Sequence, residues 1–163
     1  MNKPRSFEKL WRKRFEKFAT QAEDDAGIAG WSTTGLDARL RKFSEIWDTI
    51  APQHKHIWLD AGCGAGTYTR FIAQQGVETT GLDYSLPSIQ KAKSRGKEAI
   101  AWCVADVNKI PLSPRHFDGV ICFGVTQALD SSSTVIHSLA ETVKPGGYVC
   151  IDALNSRCLP HIW

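Results

Sequence analysis

The feature that most constrains this chain is the stretch Ile57-Trp58-Leu59-Asp60-Ala61-Gly62-Cys63-Gly64-Ala65-Gly66-Thr67. A short apolar run ends in an acid, then breaks into glycines at every second position. A helical pattern begins directly afterwards. The spacing predicts a buried strand, a tight turn and a helix N-terminus, where an α/β sheet receives a nucleotide-like ligand. Dinucleotide sites use G-x-G-x-x-G. Counted from Gly62, the third dinucleotide position is occupied by Thr67. The acid before the glycines would repel a diphosphate. It suits a ligand with an amino group and a positive charge.

The remainder of the chain fits a sheet of that kind. Residues 6–19 read as an amphipathic helix, with Phe7, Leu10, Trp11, Phe15 and Phe18 at three- and four-residue steps. Its basic residues form a solvated face, or a surface for an anionic substrate or membrane. Residues 24–35 read as a loop, and 36–50 as a second helix. Strands are expected at 57–61, 77–82, 99–104, 119–123 and 148–152. Helices are expected over 66–75, 86–95 with Ser85 as N-cap, and 132–143. Residues 107–116 form an irregular crossover, and Pro145-Gly146-Gly147 breaks the chain before the last strand. This alternation predicts a parallel sheet covered on both faces.

With 163 residues the chain is sized for one domain with a real core. A formal net charge of +3 gives no reason to expect nucleic acid as a partner. No apolar run approaches the ~20 residues of a membrane span. The five cysteines, Cys63, Cys103, Cys122, Cys150 and Cys158, form no C-x-x-C pair and are expected as reduced core cysteines in the cytoplasm, with no metal. The ending Ala153 to Trp163 is apolar and aromatic. The last strand therefore belongs to a larger fold, or its edge is covered by a partner or a second copy.

Four acids fall at or just past strand ends: Asp60, Asp83, Asp106 and Asp130. A carboxylate at the tip of the second strand is placed to accept from both hydroxyls of a ribose, and one after the third strand from an adenine amine. Alone, Asp83 is equally a helix N-terminal acid.

In Leu59-Asp60-Ala61-Gly62-Cys63-Gly64, Gly81-Leu82-Asp83-Tyr84-Ser85, Ala105-Asp106-Val107, Phe117-Asp118-Gly119-Val120 and Val143-Lys144-Pro145-Gly146-Gly147, the chain resembles a class I S-adenosylmethionine-dependent methyltransferase of the small-molecule type. The resemblance runs from about Leu59 to Asn155. It implies a Rossmann-like sheet of order 3-2-1-4-5 with helices on both faces, and S-adenosyl-L-methionine as cofactor. It implies that Asp60, Ala61, Gly62, Cys63 and Gly64 lie at the methionine moiety. Asp83 would hold the ribose, Tyr84, Asp106 and Val107 would flank the adenine, and Phe123 and Gly124 would line the methyl end. Residues 1–50 are then N-terminal helices covering the cofactor, and 51–163 the binding domain. The usual sixth and seventh strands are absent from the sequence. Trp31 closes over the site or packs under its loop. The acceptor is a small molecule, reached by in-line displacement; the alternative is a non-catalytic or truncated binding module that needs a partner. No general base is assigned, since His116 and His137 fall before a strand and within a helix.

Overall fold

The computed structural model describes residues 7–153. The apolar ending at 154–163, including Asn155 and Cys158, lies outside the described residues.

Five strands form one parallel sheet, β1 (Ile57–Ala61), β2 (Glu78–Asp83), β3 (Ile100–Val104), β4 (Phe117–Cys122) and β5 (Val143–Ile151), in the order β3-β2-β1-β4-β5. The strand order is the one the family resemblance implies, and strands alternate with helices as the sequence pattern predicts. Asp60 pairs with Gly81 and Asp83 with Val104, so the C-terminal ends of the three strands come level.

The two faces of the sheet are filled differently because successive side chains alternate. Leu59, Ala61, Val120 and Cys122 meet Val135 and Leu139 of α6 (Ser132–Thr142) on one face. On the other, Trp58 and Ile121 meet Phe43 and Trp47 of α3 (Thr33–Ile50) and Ile72 of α4 (Thr67–Gln74). A Cβ at Gly119 would stand 2.5 Å from the Trp58 ring, so that strand position must be bare for the indole to lie flat on the sheet. Burying an aromatic such as Phe43 contributes about 1.5–3 kcal/mol, so this layer is a main source of stability. The helix after β2, α5 (Leu86–Arg95), starts where expected, and Ser85 Oγ accepts from the Ser88 N–H at 3.3 Å.

Two expectations are corrected. The loop expected over 24–35 contains a helix, α2 (Asp25–Ala29), and the start of α3. Asp24 and Ser32 are N-caps rather than loop residues, accepting from the N–H groups of Gly27 (2.9 Å) and Gly35 (3.1 Å). Gly30, at φ +72°, ends α2 in the left-handed conformation. The break expected at 145–147 lies inside β5. Between the pairs Phe117–Val143 and Gly119–Tyr148, β4 advances two residues and β5 five. The Pro-Gly-Gly excursion is accommodated as a bulge; among the described residues β5 pairs with β4 alone, so no second ladder there has to be kept in register.

Ahead of the sheet, α1 (Phe7–Gln21) lies across the C-terminal ends of the strands with α2. No helix among the described residues is long and apolar enough to cross a membrane.

Candidate functional site

The turn after β1 is built by three left-handed glycines, Gly62 (φ +79°), Gly64 (φ +53°) and Gly66 (φ +82°). The N–H groups of Gly62 and Cys63 both donate to the Leu82 carbonyl, at 2.7 and 3.0 Å, tying the turn to β2. The glycines are not equivalent. A Cβ at Gly62 would stand 2.2 Å from Val125 Cγ2, and one at Gly66 2.5 Å from the Trp102 ring. At Gly64 a Cβ would meet nothing within 4 Å, although the residue lines a cleft. Packing demands the outer two. The middle one leaves bare backbone at the cleft wall.

Asp83 closes the same corner. Its Oδ2 accepts from the Gly64 N–H at 2.9 Å and its Oδ1 from the Ser85 N–H at 2.8 Å. Burial pushes its carboxyl above the ordinary range, against the pull of these two backbone donors. Each oxygen keeps a lone pair, and the residue lines the cleft.

Asp60 sits one layer deeper. It is 2% exposed and accepts the Thr69 hydroxyl at 2.6 Å. Burial raises its carboxyl to about 7, with the Asp83 charge adding to the effect. A cation placed near it would keep it ionised. Burial pushes the Cys63 thiol up as well, so it is an inert wall rather than a nucleophile.

The cleft and the open space at its mouth together amount to about 1030 Å³. Gly62, Cys63, Gly64, Asp83, Tyr84, Val107, Phe123 and Gly124 all line it. Asp60, Ala61 and Asp106 do not form its walls: the first two lie buried behind the glycines, and the third is occupied from above. Trp31 lines the cleft rather than packing under its loop. Asp130 is exposed and its Oδ1 accepts from the Glu8 N–H at 3.1 Å, outside the cleft. His116 and His137 also lie away from it.

The roof of the cleft comes from α1 to α3. Arg12 donates from Nη2 to Asp106 at 2.6 Å, stacks 4.9 Å from the Tyr84 ring centroid, and accepts the Tyr84 hydroxyl on its carbonyl at 2.9 Å. Asp25 pairs with both Arg70 and Arg95 and takes the Thr67 hydroxyl at 2.5 Å. Arg39 pairs with Asp152 at 2.6 Å, and Asp152 also takes the Gly124 N–H at 2.8 Å. Sequence reasoning missed Arg12, Asp25, Arg39 and Asp152. Asp152 carried a readable signal, since it directly follows β5, much as Asp83 closes β2. The other three looked like ordinary surface charge, because their partners are far away in sequence.

Comparison with known proteins places the chain in a family and agrees with its fold. A methyltransferase-domain family model matches residues 59–151. Malonyl-[acyl-carrier protein] O-methyltransferase of Salmonella typhimurium is 31% identical over 150 residues, covering 91% of this chain and 55% of that protein. Ubiquinone biosynthesis O-methyltransferase of Alkalilimnicola ehrlichii is 34% identical, covering 60% of this chain and 41% of that protein. The chain thus spans about half the length of these curated relatives. In fold it is similar to a Haemonchus contortus phosphoethanolamine N-methyltransferase solved with phosphoethanolamine and S-adenosylhomocysteine. That TM-score is 0.74 at 17% identity, covering 89% of this chain and 32% of the other.

Proposed function

The chain belongs to the class I S-adenosylmethionine-dependent methyltransferases, and on that footing we propose that its cleft binds S-adenosylmethionine and directs the methyl group to an oxygen of a small-molecule acceptor. The observation that carries the reading is the Asp83–Gly64 contact. It places a carboxylate with lone pairs to spare beside a bare stretch of backbone, in one cleft. Those two features fit a ribose diol and a methionine tail.

In this reading Asp83 accepts the ribose hydroxyls, each charge-assisted bond worth roughly 1.5–3 kcal/mol. Tyr84 and Val107 hold the base, with Asp106 behind. The backbone of Gly62 to Gly64 follows the tail, and Asp60 supplies negative charge beneath it. The bound cofactor would supply a methyl group already activated on a sulfonium sulfur. The protein's task is therefore to align the acceptor and exclude water. Phe123, Gly124 and Trp31 line the end where that happens, and α1 to α3 close it from above.

Oxygen as the methylated atom is supported by the names of the two relatives, which act on different acceptors. A second reading, a binding module that works with a further segment or partner, is supported by β5. Among the described residues it has one strand neighbour, and Tyr148, Val149 and Ile151 are 42%, 39% and 39% exposed. The buried thiols of Cys63 and Cys122 support a cytoplasmic setting.

Calorimetric titration with S-adenosylhomocysteine tests the proposal. Binding in the roughly micromolar range is expected. No heat at millimolar ligand would sink the cofactor assignment. Binding without turnover on any oxygen acceptor would favour the second reading.

A further inference from the structure

This inference rests on the methyltransferase reading and concerns the acceptor. Two arginines line the cleft, Arg12 and Arg39, and they are engaged differently. Arg12 donates from Nε and Nη2 to Glu8 at 3.0 and 2.8 Å, and from Nη2 to Asp106 at 2.6 Å. Its Nε–Nη2 edge is thereby taken up by two carboxylates. Arg39 donates from Nη1 to Asp152 at 2.6 Å, and its Nε and Nη2 donate to no described residue.

The Arg39 head is also held in place. Its guanidinium carbon lies 3.7 Å from the centroid of the Trp31 ring. This cation–π contact holds the guanidinium over the ring and leaves its edge donors available. Asp152, which holds the other end, is itself anchored by the Gly124 N–H at 2.8 Å. Gly124 follows β4 in the cleft wall, beside Phe123. Arg39 is thus a prepositioned cation at one end of the cleft, with an open Nε–Nη2 edge. That edge matches a carboxylate side-on.

We propose that Arg39, set by Trp31 and Asp152, binds the charged oxygen group of the acceptor, and that the acceptor is a carboxylic acid with an apolar or aromatic body. Trp31, Tyr68 and Phe123 supply the apolar surface for that body. A carboxylic acid of pKa about 4 arrives ionised at neutral pH, so no proton has to be removed. One carboxylate oxygen stays on Arg39 while the other attacks. Its lone pair forms the O–CH3 bond as the S–CH3 bond breaks, and that bonding pair stays on sulfur. The carboxylate and sulfonium charges cancel, leaving a methyl ester and a thioether. The ester no longer carries the charge that Arg39 holds, which eases product release.

The test titrates the S-adenosylhomocysteine-saturated protein with benzoate, phenylacetate and octanoate, each beside its neutral amide. At least one acid should bind ten or more times tighter than its amide. Arg39→Gln should abolish that preference, a loss of roughly 10–100-fold for the acid. It should leave S-adenosylhomocysteine affinity within about threefold, which also reports that the variant is folded. Arg39→Lys, which keeps the charge, should retain part of the preference. Acids and amides binding alike, no acid binding, or a preference surviving in Arg39→Gln overturns the proposal. Loss of S-adenosylhomocysteine binding in the unaltered protein would instead overturn the cofactor reading beneath it.

Discussion

Arg12 and Asp106, 94 residues apart, are joined at 2.6 Å, which fastens the first helix to the end of the third strand over the cleft. The arginine also shields Tyr84, which accepts its stacking and donates back to its carbonyl. The acid expected to face an adenine is therefore held by a roof helix.

Arg12→Ala removes this fastening. The pair is partly exposed, at 27% and 37% of the two side chains, so screening limits its worth to about 1 kcal/mol. S-adenosylhomocysteine affinity should fall about 3–10-fold. Amide exchange along residues 7–21 should quicken. If exchange there is unchanged, the roof is held by its apolar face alone.

Gly62→Ala and Gly64→Ala should separate stability from binding. Both impose a left-handed conformation on alanine, costing about 1 kcal/mol. At Gly62 the methyl also collides with Val125, 2.2 Å away, adding ~1–3 kcal/mol of overpacking. Gly64→Ala adds no protein clash, at a residue that lines the cleft. The first should lower the melting temperature markedly. The second should lower it little while reducing ligand affinity more than tenfold. Equal affinity losses at equal stability would remove the distinction.

Asp83→Ala takes away the proposed ribose contact and orphans the N–H groups of Gly64 and Ser85. Binding should weaken about 10–100-fold, and stability should drop by ~1–3 kcal/mol. Asp83→Asn keeps an acceptor for one of those N–H groups. It should recover part of the stability without the full affinity. An Asp83→Ala protein that binds as before would show that the ligand lies elsewhere.

Asp60 should make both stability and binding depend on pH. Its folded pKa, about 7, lies above the unfolded value near 3.8. Below both values it is protonated in either state and contributes no difference. As pH rises from about 4 to 7 the unfolded chain ionises first, so stability falls across that window and levels off above it. Asp60→Asn should therefore raise the melting temperature at pH 8 and leave it nearly unchanged at pH 4. A bound cation would favour ionised Asp60, so S-adenosylmethionine should bind about tenfold tighter at pH 8 than at pH 6. A flat affinity profile between those values would remove Asp60 from the cofactor's surroundings.

Much of the framework is legible in the amino-acid sequence. β1 and α5 fall on the residues read from it, because an apolar run bounded by Asp60 and glycines, and a helix opened by Ser85, are local signals. The Asp24 and Ser32 caps are local too, but three glycines in twelve residues make them look like loop chemistry. The bulge in β5 is hidden because Pro-Gly-Gly ordinarily ends a strand. Only pairing with β4 shows the chain resuming the same ladder afterwards.

The glycine turn and the acids at strand ends were determined by the sequence itself. Alternating burial, glycine geometry and N-caps are properties of neighbouring residues, and neighbours in sequence are neighbours in space. Which charges meet over the cleft was decided only by the tertiary structure. Arg12 with Asp106, Asp25 with Arg70 and Arg95, and Arg39 with Trp31 and Asp152 draw on residues from separate elements. An arginine on an amphipathic helix has no local preference among distant acids. Its partner is set by where the hydrophobic faces of α1 to α3 come to rest on the sheet, and that packing is a property of the whole fold.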